Sequence, residues 1–364
     1  MEAFVNIIAA QRDDIQGREK TVLYCQQGGD NMVGRCVVYR KFGDPQSVLT
    51  VEKRNIAPLS EEDVLIRMNL MPINPSDLIP IRGAYAHRTT LPAVPGYEGV
   101  GVIEEVGANG SKASKALIGK RVLPLRGDGT WQDYVKIKKE RLIFVPDEID
   151  DDSAAQMYIN PLTAWVVCKE KLCLKPENVV IINAAGSVLG KIFAQLSLLI
   201  GFTLIAVVRR EESKKELLEL GATFVIDEYE ESFVDQVMAI TAGKGADVAI
   251  DSIGGEKGDR LAGCVRTHGK FVAIGLLSGK QVDWAHHSKR LQTGMFHLRH
   301  WNQQVSLSHW HRVYNELLSI VANQRLILPN LGDRYSLSDV NQAVKQAEPF
   351  TSRYGKVVLC ASTT

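Results

Sequence analysis

The chain has no excess of charge, no cysteine-rich segment and no long apolar run. Lysine plus arginine number 43 against 42 for aspartate plus glutamate, a formal net charge of +1. No field therefore draws the protein to nucleic acid or to an anionic membrane, although a small anionic ligand held by a local basic pair stays open. The six cysteines (Cys25, Cys36, Cys168, Cys173, Cys264 and Cys360) are scattered and form no C-x-x-C pair. That spacing points neither to a structural zinc lobe nor to a disulfide framework, and buried thiols in a reducing bacterial cytoplasm are expected instead. No apolar run reaches the roughly 18 residues of a membrane span.

The N-terminus also lacks a targeting signal. Phe4 to Ala10 is apolar but has neither the basic start nor the cleavage pattern of a signal peptide. The run Gln27-Gly28-Gly29-Asp30-Asn31-Met32 back-translates to a bacterial ribosome-binding sequence just ahead of an ATG. Met32 is the expected biological start, with residues 1–31 an unstructured translated leader.

What is present is ordinary globular composition, 45% hydrophobic and 23% charged over 364 residues, enough for two domains. Between Val33 and about Asp150, short strands such as Cys36–Tyr39, Val64–Met68 and Gly101–Val106 are broken by turns at Gly43-Asp44-Pro45, Pro95-Gly96 and Gly127-Asp128-Gly129. Such a pattern predicts a small, partly closed β domain. From about Pro161 strands alternate with helices: Val179–Ile182, a helix over Leu189–Ile200, Leu204–Val208, a charged helix over Glu211–Leu220, then Phe224–Ile226, Val248–Ile250 and Phe271–Ile274 with helices between them. The alternation predicts parallel βαβ units in a doubly wound sheet. After Trp301 a long helix around Trp310–Ala322 leads to Tyr335–Ala347 and a last strand at Lys356–Leu359.

The first of these strands runs into Asn183-Ala184-Ala185-Gly186-Ser187-Val188-Leu189-Gly190, with Ala185, Ser187 and Gly190 at the three positions of a G-x-G-x-x-G turn. Small residues there let the backbone approach a pyrophosphate, whose charge is met by amides at the helix N-terminus. About 20 residues on, where an NAD enzyme carries an acid for the ribose diol, this chain has Arg209-Arg210. Two cations at a helix start oppose the helix dipole unless an anion sits beside them. The 2′-phosphate of NADPH is such an anion; the alternative is a solvated pair leaning on Glu211 and Glu212.

Taken together, these features resemble the medium-chain dehydrogenase/reductase superfamily. The likeness is carried by Asn74-Pro75-Ser76-Asp77, Pro95–Gly101 (PGYEGVG), Gly129-Thr130-Trp131, Asn160-Pro161-Leu162-Thr163-Ala164 and Gly355–Leu359. It implies an α/β architecture: a GroES-like, partly closed β-barrel domain over 32–157, a Rossmann domain with a doubly wound parallel sheet over 158–300, and a C-terminal return over 301–364. Where zinc-dependent members carry Cys, His and Cys, this chain has Asn74 or Pro75, Tyr97, and Asn160 or Pro161, so no catalytic metal is expected. The late histidines, His286, His287, His297, His300, His309 and His311, are expected at the surface or at an interface.

Within the superfamily the chain is similar to the 2-enoyl thioester reductases, through Asn74–Asp77 followed by Gly83-Ala84-Tyr85, the turn from Asn183, Val207-Val208-Arg209, and Phe296-x-Leu298-x-x-Trp301. Gly186 and Val188 depart from the usual turn, and Ala86–Thr90 from the usual segment after the tyrosine. The resemblance implies hydride transfer from NADPH to the β-carbon of an enoyl thioester. Tyr85 would stabilise the enolate oxygen, a role that suits a phenol donor; the alternative is an ordinary loop tyrosine. It places Asn160, Ala185–Gly190, Arg209, Arg210, Gly275, Leu276, Phe296 and Leu298 around the cofactor. Lys356 is expected at the cofactor or in solvent, and Trp301 in the wall of the acyl pocket or in core packing. Glu98 stays open between structural carboxylate and proton relay. An NADPH:quinone oxidoreductase and a non-catalytic NADPH-binding protein are the rival readings. A homodimer, joined at the sheet edge supplied by residues 270–300, is expected by fold analogy.

Overall fold

The computed structural model describes residues 32–107, 112–125, 129–209, 211–230, 232–348 and 355–361. The leader expected over 1–31 and the cofactor contact expected of Arg210 both lie outside the described residues.

The first half is built of short strands. β1 (Val33–Tyr39) and β2 (Leu49–Asn55) pair antiparallel. β3 (Asp63–Pro72), β4 (Val100–Val106), β5 (Arg121–Leu123), β6 (Tyr134–Lys138) and β7 (Ile143–Phe144) form most of a seven-stranded sheet. Its spine is β3, with Ile66 opposite Ile103 of β4 on one side and Val135 of β6 on the other. Helix α1 (Pro75–Ile81) follows β3, with Asn74 capping it and Pro75 at its first turn, where the missing N–H costs nothing.

The second half begins at α2 (Asn160–Val166) and carries β8 (Val179–Ile182), β9 (Thr203–Val208), β10 (Phe224–Asp227), β11 (Ala246–Asp251), β12 (Val265–Ala273) and β13 (Gln292–Met295). These six are parallel, in the order β10-β9-β8-β11-β12-β13. Val180, Ile181 and Ile182 are all buried, as a central strand covered on both faces requires. Helices α3 (Val188–Ile200), α4 (Glu212–Glu219), α5 (Phe233–Ile240) and α6 (Gly255–Gly263) alternate with them. Strand order reverses between β8 and β11, so a crevice lies beyond their carboxyl ends, the usual ligand position in such sheets.

Next come α7 (Leu298–Gln304) and α8 (Leu307–Ala322), whose Trp310, Tyr314 and Leu317 are wholly buried. One hydrophobic core runs from Leu70 and Val100 of the first half through Leu162 and Trp165 of α2 to these residues. The chain then returns as β14 (Leu331–Ser336), α9 (Val340–Ala347) and β15 (Lys356–Cys360), with β15 antiparallel to the end of β3. One element is absent from the sequence reading: Gln292–Met295 adds an edge strand whose polar sequence shows no apolar pattern.

Candidate active site

A buried carboxylate organises the first half of the site. Glu98 is 1% exposed; its Oε1 accepts from Asn74 Nδ2 at 2.8 Å and from Lys356 Nζ at 2.9 Å. Its Oε2 accepts the backbone N–H groups of Tyr158 at 3.2 Å and Ile159 at 2.8 Å, directly ahead of Asn160. Asp77 takes the backbone N–H of Asn74 at 2.7 Å on one oxygen and that of Tyr97 at 3.0 Å on the other. The two carboxylates thus fix Asn74, the backbone of Tyr97 and the residues leading into Asn160, the segments expected to match the ligand positions of the zinc-dependent members. None of the three offers a thiolate or an imidazole, and among the described residues no three His, Cys, Asp or Glu side chains converge on a metal position. Burial pushes the Asp77 carboxyl up to about 7; the Asn74 N–H opposes that rise and the Glu98 charge adds to it. Lys356 is therefore not solvated: its ammonium is paired with the buried Glu98 carboxylate, as a charge this far from water must be, and its two other N–H donors stay available to a ligand. The bonds of Glu98 give it a structural role.

Tyr85 stands at the tight turn that follows α1. Gly83, at φ +88°, supplies a left-handed step that a side chain would resist, and Thr89 Oγ1 closes the turn by donating to the Tyr85 carbonyl at 2.9 Å. The Arg88 guanidinium carbon lies 3.6 Å from the Tyr85 ring centroid, a cation held over the aromatic face. The phenol oxygen lies 3.5 Å from Nε2 of His297, which comes from the second half of the chain at the start of α7. His297, expected at the surface or at an interface, is thus half-buried where the two halves of the chain meet. Burial drives its imidazole down to about 4, with His300 and Arg88 adding to the shift. His287 departs from the same expectation: it is 6% exposed and bonded through Nε2 to Asp259 at 2.7 Å.

The cofactor turn has the expected shape. Ser187 caps α3, accepting from the Gly190 N–H at 3.2 Å. The N–H groups of Val188 and Leu189 meet no acceptor among the described residues, leaving the positive end of the helix open to an anion. Ala185 is fully buried, Gly186 is exposed, and a side chain at Gly190 would lie 2.2 Å from the Ala185 carbonyl oxygen. Asn183 clamps the switch point, donating to Asp251 at 2.5 Å and accepting from the Ser252 N–H at 2.8 Å. Arg209 is exposed at the end of β9, and no ion pair engages it among the described residues, while Glu211 pairs with Lys214 instead. A cavity of about 160 Å³ opens beyond β8 and β9, lined by Asn183, Val207, Tyr229, Phe233 and Lys257.

Gly275 and Leu276 follow β12 beside the loop after β11, where the Leu277 N–H donates to Ser252 at 3.1 Å. Phe296 leads from β13 to His297, its N–H donating to Ala273 at 2.9 Å, and Leu298 opens α7. Trp301 is packed in the core with its indole N–H donating to Glu170 at 2.7 Å, which is the packing alternative rather than an open pocket wall.

Comparison with known proteins places the chain. The model for the alcohol dehydrogenase GroES-like domain matches residues 60–147, and that for zinc-binding dehydrogenases matches 188–322. The mitochondrial enoyl-[acyl-carrier-protein] reductase of Mus musculus is 31% identical over 87% of this chain and 87% of its own. The chain belongs to the medium-chain dehydrogenase/reductase superfamily, in its enoyl reductase-like branch. The Xenopus tropicalis enoyl-[acyl-carrier-protein] reductase is 29% identical, covering 89% of this chain and 95% of that one. A crystal structure from Bacillus thuringiensis, provisionally named an NADPH:quinone reductase, is 50% identical with a TM-score of 0.87, covering 91% of this chain and all of that one. The GroES-like and Rossmann architecture expected from the sequence is therefore the architecture of the superfamily.

Proposed function

We propose that this superfamily member is an NADPH-dependent oxidoreductase that reduces the carbon–carbon double bond of a trans-2-enoyl thioester without a metal. The observation that carries the reading is the Tyr85 hydroxyl. It lies at the junction of the two halves, 3.5 Å from His297 Nε2, on the turn after the helix that Asn74 caps, and the places where zinc-dependent members carry ligands hold Asn74 or Pro75, Tyr97, and Asn160 or Pro161. The residues present fit the cofactor. The open amides of Val188 and Leu189 suit its pyrophosphate, and Arg209, engaged by no ion pair among the described residues, suits its 2′-phosphate; Gly275 and Leu276 follow β12 at the carboxyl end of the sheet, where such folds bind ligand, and Phe296 and Asn160 complete the proposed set. When bound, NADPH supplies the hydride that reaches the β-carbon. Tyr85 then donates its hydroxyl proton in a hydrogen bond to the thioester carbonyl oxygen, where negative charge collects as an enolate, and the α-carbon takes up a proton. A fixed donor aimed at developing charge lowers the barrier with no metal. The kinship with named enoyl-[acyl-carrier-protein] reductases supports this substrate class.

The name of the 50%-identical Bacillus thuringiensis protein favours a second reading, reduction of a quinone. One assay separates them: NADPH oxidation against crotonyl-CoA, longer enoyl thioesters and quinones, with wild type and Tyr85→Phe. The enoyl reading expects thioester turnover whose kcat falls at least about tenfold in Tyr85→Phe. Quinone turnover alone, indifferent to that substitution, would establish the second reading in its place.

A further inference from the structure

We propose that His297 is a positioning residue for Tyr85: it donates from Nε2 to the phenol oxygen and so leaves the Tyr85 proton for the substrate. The inference rests on the role proposed for Tyr85. A 3.5 Å contact between a phenol and an imidazole has two directions, and the ring tautomer chooses between them. The other face of the ring decides. His297 caps α7, and its Nδ1 accepts the backbone N–H of Arg299 at 3.2 Å. A nitrogen that accepts carries no proton, so the proton of the neutral ring sits on Nε2. A second proton is disfavoured near neutrality, because burial, His300 and Arg88 all depress the imidazole.

With Nε2–H as donor, the phenol oxygen is the acceptor, and its single proton is not used on His297. The opposite tautomer would draw the Tyr85 proton into the histidine and leave the substrate carbonyl without a donor. The ring itself is held on two sides, by Arg88 over its face and by the His297 ring at 75° to its plane. The bond is long here, as such contacts often are before substrate arrives, and a small rotation of either ring shortens it. Arg88 and His297 reach Tyr85 from different halves of the chain, so the phenol is set only when both halves are in place.

The test is His297→Asn. Asparagine is a favoured helix cap whose side-chain oxygen replaces Nδ1 as acceptor, so α7 keeps its start while the donor to Tyr85 is lost. With NADPH and crotonyl-CoA, kcat is expected to fall about tenfold, with the Kd for NADPH and Tm unchanged, and no further fall in a Tyr85→Phe background. Nitrogen chemical shifts of the His297 ring in the wild-type protein are expected to show Nε2 protonated and Nδ1 bare at neutral pH. Wild-type turnover by His297→Asn, an equal loss in both backgrounds, or an Nδ1-protonated ring overturns the inference. Wild-type thioester turnover by Tyr85→Phe overturns the role of Tyr85 and this inference with it; a slow Tyr85→Phe beside an undiminished His297→Asn overturns this one alone.

Discussion

Arg209 directly follows β9, exposed, and no carboxylate among the described residues engages it. A cation left unpaired near a helix start is costly until an anion arrives, and the phosphate that distinguishes NADPH from NADH is such an anion. Arg209→Asp is expected to weaken NADPH binding by at least about tenfold, roughly 1.4 kcal/mol, while NADH binding changes little. Fluorescence titration with each cofactor measures it, and an unaltered preference would remove the phosphate assignment. At this scale the sequence offers candidates where residue type and neighbours together imply chemistry, as with Tyr85 behind Gly83 or the arginine after β9. His297 was not legible. It lies between Phe296 and Leu298 in a segment without clear periodicity, and its partner is 212 positions away in the chain, a distance only folding closes. The ion pair of Lys356 was not legible for the same reason, since the carboxylate that engages it is 258 residues earlier.

The turn between β8 and α3 shows how an element constrains chemistry. Its third glycine position is occupied by a true glycine because the helix packs against the turn it has just left. A Cβ at Gly190 would fall 2.2 Å from the Ala185 carbonyl oxygen and 2.5 Å from its Cα. Gly190→Ala is therefore expected to push α3 off the turn, destabilising the fold by about 1–3 kcal/mol through overpacking. The amides of Val188 and Leu189 would move with it, so NADPH affinity should fall as well. Chemical denaturation and cofactor titration of the variant check both; wild-type values in both would show that the turn has slack the packing does not reveal. β8 and α3 were readable because central strands are uniformly apolar and α3 buries Ile192, Phe193, Ala194 and Leu196. β13 was not, because Gln292-Thr293-Gly294-Met295 is an edge strand defined by its backbone pairing to Lys270–Ala273, not by side chains.

At the scale of the whole molecule, β13 has a consequence beyond its own sheet. It is the last strand of the six-stranded sheet, so one side of its backbone has no partner strand among the described residues, and Gln292 and Met295 are exposed on it. An open edge of this kind pairs readily with another chain unless charge blunts it, and this strand carries none. A second copy related by a two-fold axis would join β13 to β13 and continue the sheet across the interface, since an isologous contact closes on itself. β13 runs through Phe296 straight into His297, so the same contact would stiffen the segment that reaches Tyr85. The protein is expected to be a dimer by light scattering at micromolar concentration. Gln292→Lys combined with Met295→Lys should shift it to monomer, because lysine on an edge opposes strand-to-strand pairing. A wild-type monomer, or a dimer untouched by both lysines, would place any association elsewhere on the surface. If the lysine variant is monomeric and also slower in kcat at unchanged NADPH affinity, the edge strand carries the order of the assembly into the active site.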